Sequence, residues 1–143
     1  DSCSSANFSI KYSDDIIVDL WHKWVLITTV AGATTLFNAT IGEIASTEHG
    51  IAFITDLHDE CVTIAKSEKI KVNDDDLAQQ RRFLSDKKST WSSSMRRDMV
   101  NKSKIECAHI FLELINIADK NNVECPSLKT VMINGEIYMR SLV

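Results

Sequence analysis

The segment from Ser92 to Glu106, SSSMRRDMVNKSKIE, is crowded with hydroxyl, cationic and carboxylate side chains. Hydroxyl groups and exposed amides at the start of a helix bind carboxylates well, so the serines are candidates for holding an acidic ligand. The same serines could serve only as N-caps of a short helix, MRRDMV. Glu106 could likewise complement the dipole of the next helix. These residues alone leave the segment open between a solvated connector and one wall of a binding site.

Lys23 is a second candidate for chemistry, because it stands between Trp21 and Trp24 at the edge of a long charge-free stretch. An ammonium group held against apolar surface loses hydration, which lowers its pKa. A lysine with a lowered pKa can act as a general acid near neutral pH. The alternative is a lysine whose stem covers tryptophan while its ammonium group reaches water.

Several other kinds of site are disfavoured. His58 and Cys61 share a predicted helix face, but a zinc site needs four ligands and no second pair has suitable spacing, so we expect no metal. The four glycines form neither a G-x-G-x-x-G fingerprint nor a P-loop, and no G-x-S-x-G is present. The net charge of −4 provides no basic footprint for nucleic acid.

The cysteine and hydropathy patterns predict a cytoplasmic protein without a membrane span. No apolar core of a signal peptide is visible at the N-terminus. Residues 24–42 carry no charge and approach the length of a span, but their five threonines favour buried helices. A reduced thiol in an apolar segment behaves as a small hydrophobe. The four cysteines, none closely paired, are Cys3, Cys61, Cys107 and Cys125.

The spacing of apolar residues predicts an all-α domain of about six helices packed as one bundle. One proline and four glycines are few for an all-β chain. Apolar side chains recur at three and four residues in several segments, as on one face of a helix. The clearest stripes are Ile16 to Ala31, then Ile51, Ile54, Leu57, His58, Cys61, Val62 and Ala65, then Ile105, Ala108, Phe111, Leu112, Ile115 and Ala118.

Turn and capping residues predict where these helices begin and end. Asp15 and the residues before it are suited to cap the first helix. We expect that helix to break at Gly32 and a second helix to occupy about residues 35–45. A shorter helix should follow the acidic cluster that begins at Asn73, and Ser127 should cap the last helix after Pro126.

Short motifs also occur along the chain in a characteristic order. They are Leu20-Trp21-x-Lys23, Ala31-Gly32-x-Thr34-Thr35-Leu36, Ile41-Gly42-Glu43-Ile44, Ser93-Ser94-Met95-x-x-Asp98, Glu106 and Val123-x-x-Pro126. In this order they resemble the C-terminal domain of ketopantoate reductase (2-dehydropantoate 2-reductase), over nearly the whole chain from about Ser13 on. Each motif is weak alone, but together they are specific.

The resemblance implies an all-α, bundle-like domain of the 6-phosphogluconate dehydrogenase C-terminal type. Residues 1–12 would be a lead-in, and residues 13–143 the substrate-binding and dimerisation domain. An N-terminal Rossmann domain, absent from this chain, would bind most of the NADPH. The implied protein is a cytoplasmic homodimer that reduces ketopantoate to pantoate in pantothenate biosynthesis, and its helical domain alone would be inactive.

The resemblance also implies roles for single residues. Lys23 matches the general acid that contacts the substrate and gives a proton to the 2-keto oxygen. Ser94 and the amides after it match the group that holds the substrate carboxylate, and Met95 and Arg97 are included among the substrate-binding residues. Glu106 matches the glutamate that reaches the cofactor ribose and the substrate hydroxyl.

This chain departs from the family pattern at three positions. Many members carry Asn where it has Ile27, Ala31 and Ile41. Each exchange removes hydrogen bonds to a polar substrate and enlarges the apolar part of the pocket, an effect on the order of 1 kcal/mol or more. Two alternatives therefore stay open: a related reductase with a more apolar 2-keto acid substrate, and a non-catalytic helical module for assembly or ligand binding.

Overall fold

The computed structural model describes residues 15–143, and all regular structure in this range is helical. The predicted all-α class is confirmed, whereas the lead-in at residues 1–12 and Cys3 lie outside the described residues. One short segment is a π-helical turn, called the π turn below. The elements of the described range are α1 (Ile16–Phe37), α2 (Ile41–Ala45), α3 (Gly50–Ser67), α4 (Asp74–Leu84), α5 (Ser94–Val100), the π turn (Ala108–Leu112), α6 (Glu113–Lys120) and α7 (Pro126–Ser141).

The central element is α1, which packs against α2, α3, α4, α5, α7 and the π turn. The predicted break at Gly32 is wrong, because α1 continues through it to Phe37. A Cβ at position 32 would lie 3.0 Å from Leu57 and 3.2 Å from the methyl groups of Val131. Gly32 therefore allows α3 and α7 to approach α1 closely, and this packing offsets a helix-propensity loss of about 1 kcal/mol.

The length and apolar composition of α1 would also suit a membrane span, but by these two criteria alone. In the structure, 44 % of its most apolar window is buried inside the domain. The hydroxyls of Thr29, Thr34 and Thr35 each donate to a carbonyl four residues earlier, so their burial leaves no donor without a partner. These features support the prediction of a buried helix.

The boundaries of α1 and α2 follow from side-chain caps. The predicted cap at Asp15 is confirmed, since its carboxylate accepts hydrogen bonds from the amides of Ile17 and Val18. The second helix is shorter than the predicted residues 35–45, because α1 itself extends to Phe37. Thr40 then begins α2, where it forms a reciprocal capping box with Glu43.

The segment 87–93, called the bridging segment below, lies across the start of α2. The amide of Ile41 donates to the carbonyl of Trp91 at 2.9 Å, and the amide of Gly42 donates to that of Ser89 at 3.0 Å. The first amides of a helix have no partner within it, so these bonds satisfy them. They also hold the bridging segment in place just before α5.

A buried polar junction attaches α4 to the core. Gln80 on α4 donates to the backbone carbonyl of His22 on α1 at 3.0 Å, and its side-chain carbonyl lies 2.9 Å from Nε2 of His58 on α3. Burial lowers the pKa of His58. Within residues 15–143 no group of three or more His, Cys, Asp or Glu side chains could hold a metal ion.

The start of α7 is capped from another helix. Pro126 is the first residue of α7, so the prediction that Ser127 caps this helix after Pro126 is wrong. Glu60 on α3 instead accepts hydrogen bonds from the amides of Ser127 and Leu128, both at 2.9 Å. The carboxylate thereby satisfies two amides that lack a partner within α7 and joins the two helices.

We expect Glu60→Ala to lower the free energy of unfolding by about 1–2 kcal/mol, because it leaves these two amides without their acceptor. Urea or thermal unfolding of the purified chain measures the change. Glu136→Ala is the matched control, since Glu136 is exposed on α7 and its side chain makes no hydrogen bond within residues 15–143. Equal losses in the two variants would contradict this role for Glu60.

Candidate active site

A cavity of about 620 Å³ lies where α1, the bridging segment, α5 and the π turn meet. Its volume falls in the ordinary range for small-molecule sites. Four of the five predicted site residues line it: Ser94, Met95, Arg97 and Glu106. Ser94, Arg97 and Glu106 are exposed to solvent, whereas Met95 is buried beneath them. The structure therefore gathers most of the predicted site on one concave surface.

Lys23 is not part of the lining of this cavity. It stands one helical turn before Ile27, which does line the cavity. Its side chain is exposed, which favours the alternative in which the ammonium group reaches water. The adjacent rings of Trp21 and Trp24 pack on each other, with centroids 5.0 Å apart. The role of Lys23 as a general acid stays a prediction.

The three serines before α5 have different surroundings. Ser93 is the N-cap of α5, and its Oγ accepts a hydrogen bond from the amide of Arg96 at 3.0 Å. Ser92 Oγ accepts a bond from the Arg96 guanidinium at 3.3 Å. The Ser94 hydroxyl makes no hydrogen bond within residues 15–143. Capping therefore accounts for Ser93, and the Ser94 hydroxyl is available to a ligand.

The cavity also mixes cations with carboxylates. Arg97 and Lys104 provide positive charge, and Asp98 and Glu106 provide negative charge. None of these four side chains makes a hydrogen bond or an ion pair within the described part of the chain. Free charged groups of both signs can bind a small polar anion that also carries hydroxyl groups. Sequence reasoning assigned no role in the site to Asp98, which it named only as part of a motif, or to Lys104, although both lie in the segment that it singled out.

One wall of the cavity is apolar. Ile27 and Ala31, two of the three departures from the family pattern, line it on α1, with Ile110 on the π turn and Trp91 on the bridging segment. Ile41, the third departure, is fully buried in α2 and does not line this cavity. The prediction that all three exchanges enlarge the apolar part of the pocket is therefore wrong for Ile41, whose side chain packs in the core.

The π turn changes the burial pattern around its own residues. Of the predicted stripe, Ile105, Phe111, Ile115 and Ala118 are buried, whereas Ala108 and Leu112 of the π turn are exposed; Cys107 and Leu114 are buried in addition. A π turn adds one residue to a helical turn and so rotates the face that follows or precedes it. The sequence periodicity could not show this extra residue.

The π turn is also held against α1 at the edge of the cavity. The indole Nε1 of Trp24 donates to the carbonyl of Ile110 at 3.3 Å. On the other side, Gly135 of α7 packs on the π-turn segment, since a Cβ there would lie 3.0 Å from Cβ of Cys107. These contacts hold Cys107 in place. Glu106, the residue directly before it, lines the cavity.

The sequence profile of the family described as "Ketopantoate reductase PanE/ApbA C terminal" matches residues 15–133. The chain belongs to this family. Among similar proteins, the oxidoreductase YkpB of Bacillus subtilis strain 168, described as uncharacterized, is 30 % identical over 94 % of this chain and 45 % of its own length. A 2-dehydropantoate 2-reductase of Streptococcus pyogenes serotype M1 is 24 % identical over 73 % of this chain and 34 % of its own length.

Solved structures of the ketopantoate reductase family share the fold. A PanE/ApbA family ketopantoate reductase of Ralstonia eutropha JMP134 superposes with a TM-score of 0.84 at 20 % identity, over 95 % of this chain and 45 % of that protein. A dimeric ketopantoate reductase from Staphylococcus aureus has a TM-score of 0.82 at 17 % identity, with coverages of 95 % and 48 %. The predicted bundle-like fold is thus confirmed.

A further structure with this fold is D-mandelate dehydrogenase with NADH and anilino(oxo)acetate. Its TM-score is 0.78 at 19 % identity, over 92 % of this chain and 44 % of that protein. In all of these comparisons the chain spans less than half the length of the protein that it matches.

Proposed function

We propose that this chain is the substrate-binding domain of an NADPH-dependent 2-keto acid reductase that converts ketopantoate to pantoate. The observation that carries the proposal is the convergence of Ser94, Arg97 and Glu106 on one cavity, in a domain of the ketopantoate reductase family. The family is one of oxidoreductases, and the charge and hydroxyl content of the cavity suits a small 2-keto acid.

For the substrate, we assign the carboxylate to Ser94 and Arg97. The free hydroxyl of Ser94 and the backbone amide of Met95 can donate to one carboxylate oxygen, and the guanidinium of Arg97 can contribute charge-assisted hydrogen bonds. Lys23 then gives a proton to the keto oxygen. Its exposure here is consistent with a wall that belongs to another domain, whose closure would exclude water from the ammonium group.

For the cofactor, the residues present suit a minor contact only. When bound, NADPH supplies the hydride that reaches the substrate carbonyl carbon. Glu106 is exposed on the cavity and has no hydrogen-bond partner within residues 15–143, so its oxygens are available to accept from hydroxyl groups of the ribose and of the substrate. We propose that an N-terminal Rossmann domain of the intact protein holds the rest of the cofactor.

The decisive experiment measures NADPH oxidation by the intact protein that contains this chain, with ketopantoate and a panel of other 2-keto acids. We expect oxidation with at least one of them and, for ketopantoate, pantoate as the product. NADH in place of NADPH tests the cofactor preference. If no 2-keto acid oxidises NADPH, the reductase proposal fails and the non-catalytic helical module takes its place.

A more apolar substrate is the second candidate, and the apolar wall favours it. Ile27 and Ala31 present no hydrogen-bonding side chain to the cavity. A hydrophobic pocket distinguishes substrates by about 1–3 kcal/mol per methylene group. If this wall contacts the substrate side chain, 2-ketoisocaproate or phenylglyoxylate in the same panel will have a kcat/KM at least about tenfold above that of ketopantoate. The reverse order supports ketopantoate.

We also propose that the intact protein is a cytoplasmic homodimer. The dimeric Staphylococcus aureus reductase with the same fold supports this oligomeric state. The cysteines of the described range support a reducing compartment, because all three are buried and unpaired. Burial raises the pKa of each thiol, which keeps it protonated and unreactive. These three cysteines are Cys61, Cys107 and Cys125.

A further inference from the structure

We propose that Thr34 is a positioning residue of the active site, which holds Ser93 in place and thereby sets the position of Ser94 on the cavity. This inference rests on the proposed function, in which Ser94 contacts the substrate. Thr34 itself lies behind the cavity: it is fully buried in α1 and is not among the lining residues. It acts through the start of α5.

Three short distances connect Thr34 to its neighbours. Its Oγ1 lies 2.7 Å from the carbonyl oxygen of Val30, one turn earlier in α1. The same atom lies 2.8 Å from Oγ of Ser93 and 3.4 Å from its backbone nitrogen. The Ser93 hydroxyl in turn lies 3.0 Å from the amide nitrogen of Arg96. A single hydroxyl thus joins the middle of α1 to the first residue before α5.

The number of available protons determines the direction of each bond. A carbonyl oxygen only accepts, so the one hydroxyl proton of Thr34 goes to Val30. Thr34 must then accept from Ser93, whose hydroxyl donates to it while accepting from the amide of Arg96. The result is a chain of donors that runs from Arg96 through Ser93 and Thr34 to Val30. Bonds in such a chain polarise and strengthen one another.

Thr35 shows that burial in α1 does not by itself create this link. It is the next residue, it is 4 % exposed, and its hydroxyl donates only to carbonyls of α1, at Ala31 and Gly32. Removing the Thr35 hydroxyl therefore changes no bond to α5. Thr35 provides a matched control for Thr34, with the same residue type, helix and degree of burial.

Loss of the Thr34 hydroxyl would leave the Ser93 hydroxyl without its acceptor. The half-buried Ser93 would then rotate toward another acceptor or water, and the cap of α5 would weaken. Ser94 follows Ser93 directly, so a small displacement of the cap moves the group proposed to hold the substrate carboxylate. Lys23 lies on α1 and keeps its place. Substrate binding should therefore suffer more than the proton-transfer step.

The test uses steady-state kinetics of the intact protein with its best 2-keto acid from the panel. We expect Thr34→Val to raise the KM for the 2-keto acid about tenfold, the equivalent of one lost hydrogen bond. The KM for NADPH should stay unchanged, and kcat should change less than about threefold. Thr34→Ser, which keeps the hydroxyl, should restore the wild-type KM, and Thr35→Val should match wild type.

Amide hydrogen exchange provides a second measurement, which does not depend on activity. Exchange at Ser94, Met95 and Arg96 should be faster in Thr34→Val than in Thr35→Val. If Thr34→Val does not fold, Ser93→Ala tests the same link from the other side, with a rise in KM at least as large, because it also removes the acceptor of the Arg96 amide. Where both fold, the double variant should be no worse than Ser93→Ala alone, because that variant has already lost the link to Thr34.

Each outcome decides the inference. Equal KM values in Thr34→Val and Thr35→Val would overturn it, as would unchanged exchange at the start of α5. Faster exchange with an unchanged KM would also overturn it, since Thr34 would then serve stability alone. An active wild-type protein with normal Thr34→Val kinetics rejects only this inference. A wild-type protein that is inactive with every 2-keto acid rejects the proposed function, and the positioning role with it.

Discussion

Lys23→Ala is expected to lower kcat of the proposed 2-keto acid reduction by the intact protein about a thousandfold, within the range observed for loss of a general acid. The proposed proton donor to the keto oxygen is then missing, and water is a poor substitute in a closed site. Because the Lys23 side chain is exposed and makes no hydrogen bond within residues 15–143, its removal should leave the fold intact. Kinetics and thermal unfolding of the same preparation measure both effects.

Lys66→Ala serves as the control for Lys23→Ala, since Lys66 is an exposed lysine of α3 that does not line the cavity. It should have wild-type kcat and stability. A raised KM with unchanged kcat in Lys23→Ala would limit Lys23 to substrate binding. Unchanged kcat and KM would remove Lys23 from the mechanism altogether.

Gly42→Ala is expected to lower the free energy of unfolding by about 3 kcal/mol, the upper end of the usual cost of overpacking. A Cβ at this position would lie 2.3 Å from the carbonyl oxygen of Ser89 and 2.9 Å from that of Lys87. Both are backbone atoms, so no side-chain rotation can relieve the clash. Helix propensity alone would predict the opposite change in the free energy of unfolding, because it favours alanine over glycine by about 1 kcal/mol.

The bridging segment must move to accommodate the added methyl group, and it carries Trp91 and Ser92 of the cavity. We therefore expect Gly42→Ala also to raise the KM for the 2-keto acid. Gly135→Ala is the control, because its Cβ would meet the side chain of Cys107 at 3.0 Å and not the backbone. Urea unfolding should show a smaller loss for Gly135→Ala. A Gly42→Ala variant as stable as wild type would contradict the close packing.

The two clearest local signals in the sequence were helix faces and caps. The stripe on α3 that includes Ile54, Leu57 and Cys61 is buried as predicted. Asn73 caps α4 through hydrogen bonds from two amides that follow it. Such features depend on neighbours within one or two helical turns, so a single sequence contains the information needed to predict them.

Glycine illustrates where this local information ends. Gly32 was expected to break a helix and instead lies in the middle of α1, where it makes room for Leu57 and Val131. Gly42 makes room for the backbone of Ser89. Neither residue has a positive φ angle, so conformational freedom explains neither of them. Their roles depend on segments that are distant in sequence.

The candidate site was predictable in part for a similar reason. Residue types and motif order pointed to Ser94 and Glu106, and the structure places both on one cavity. The burial of Ile41 in the core was not predictable, because it depends on which helices pack nearby. The exposure of Lys23 agrees with the alternative, left open by the sequence, in which its ammonium group reaches water. The π turn adds a residue that periodicity does not reveal, and Ala108 and Leu112 within it are exposed although the predicted stripe includes them.

The sequence by itself determined the all-α class, the apolar faces of the main helices, the side-chain caps of α1, α4 and α5 and the family to which the chain belongs. All of these depend on short-range spacing or on the order of motifs. Only the tertiary structure decided that α1 is continuous, that Glu60 caps α7, and that Thr34 connects α1 to Ser93. The last two contacts join groups 59 to 68 residues apart, and the close packing behind all three features has no signature within a single helix.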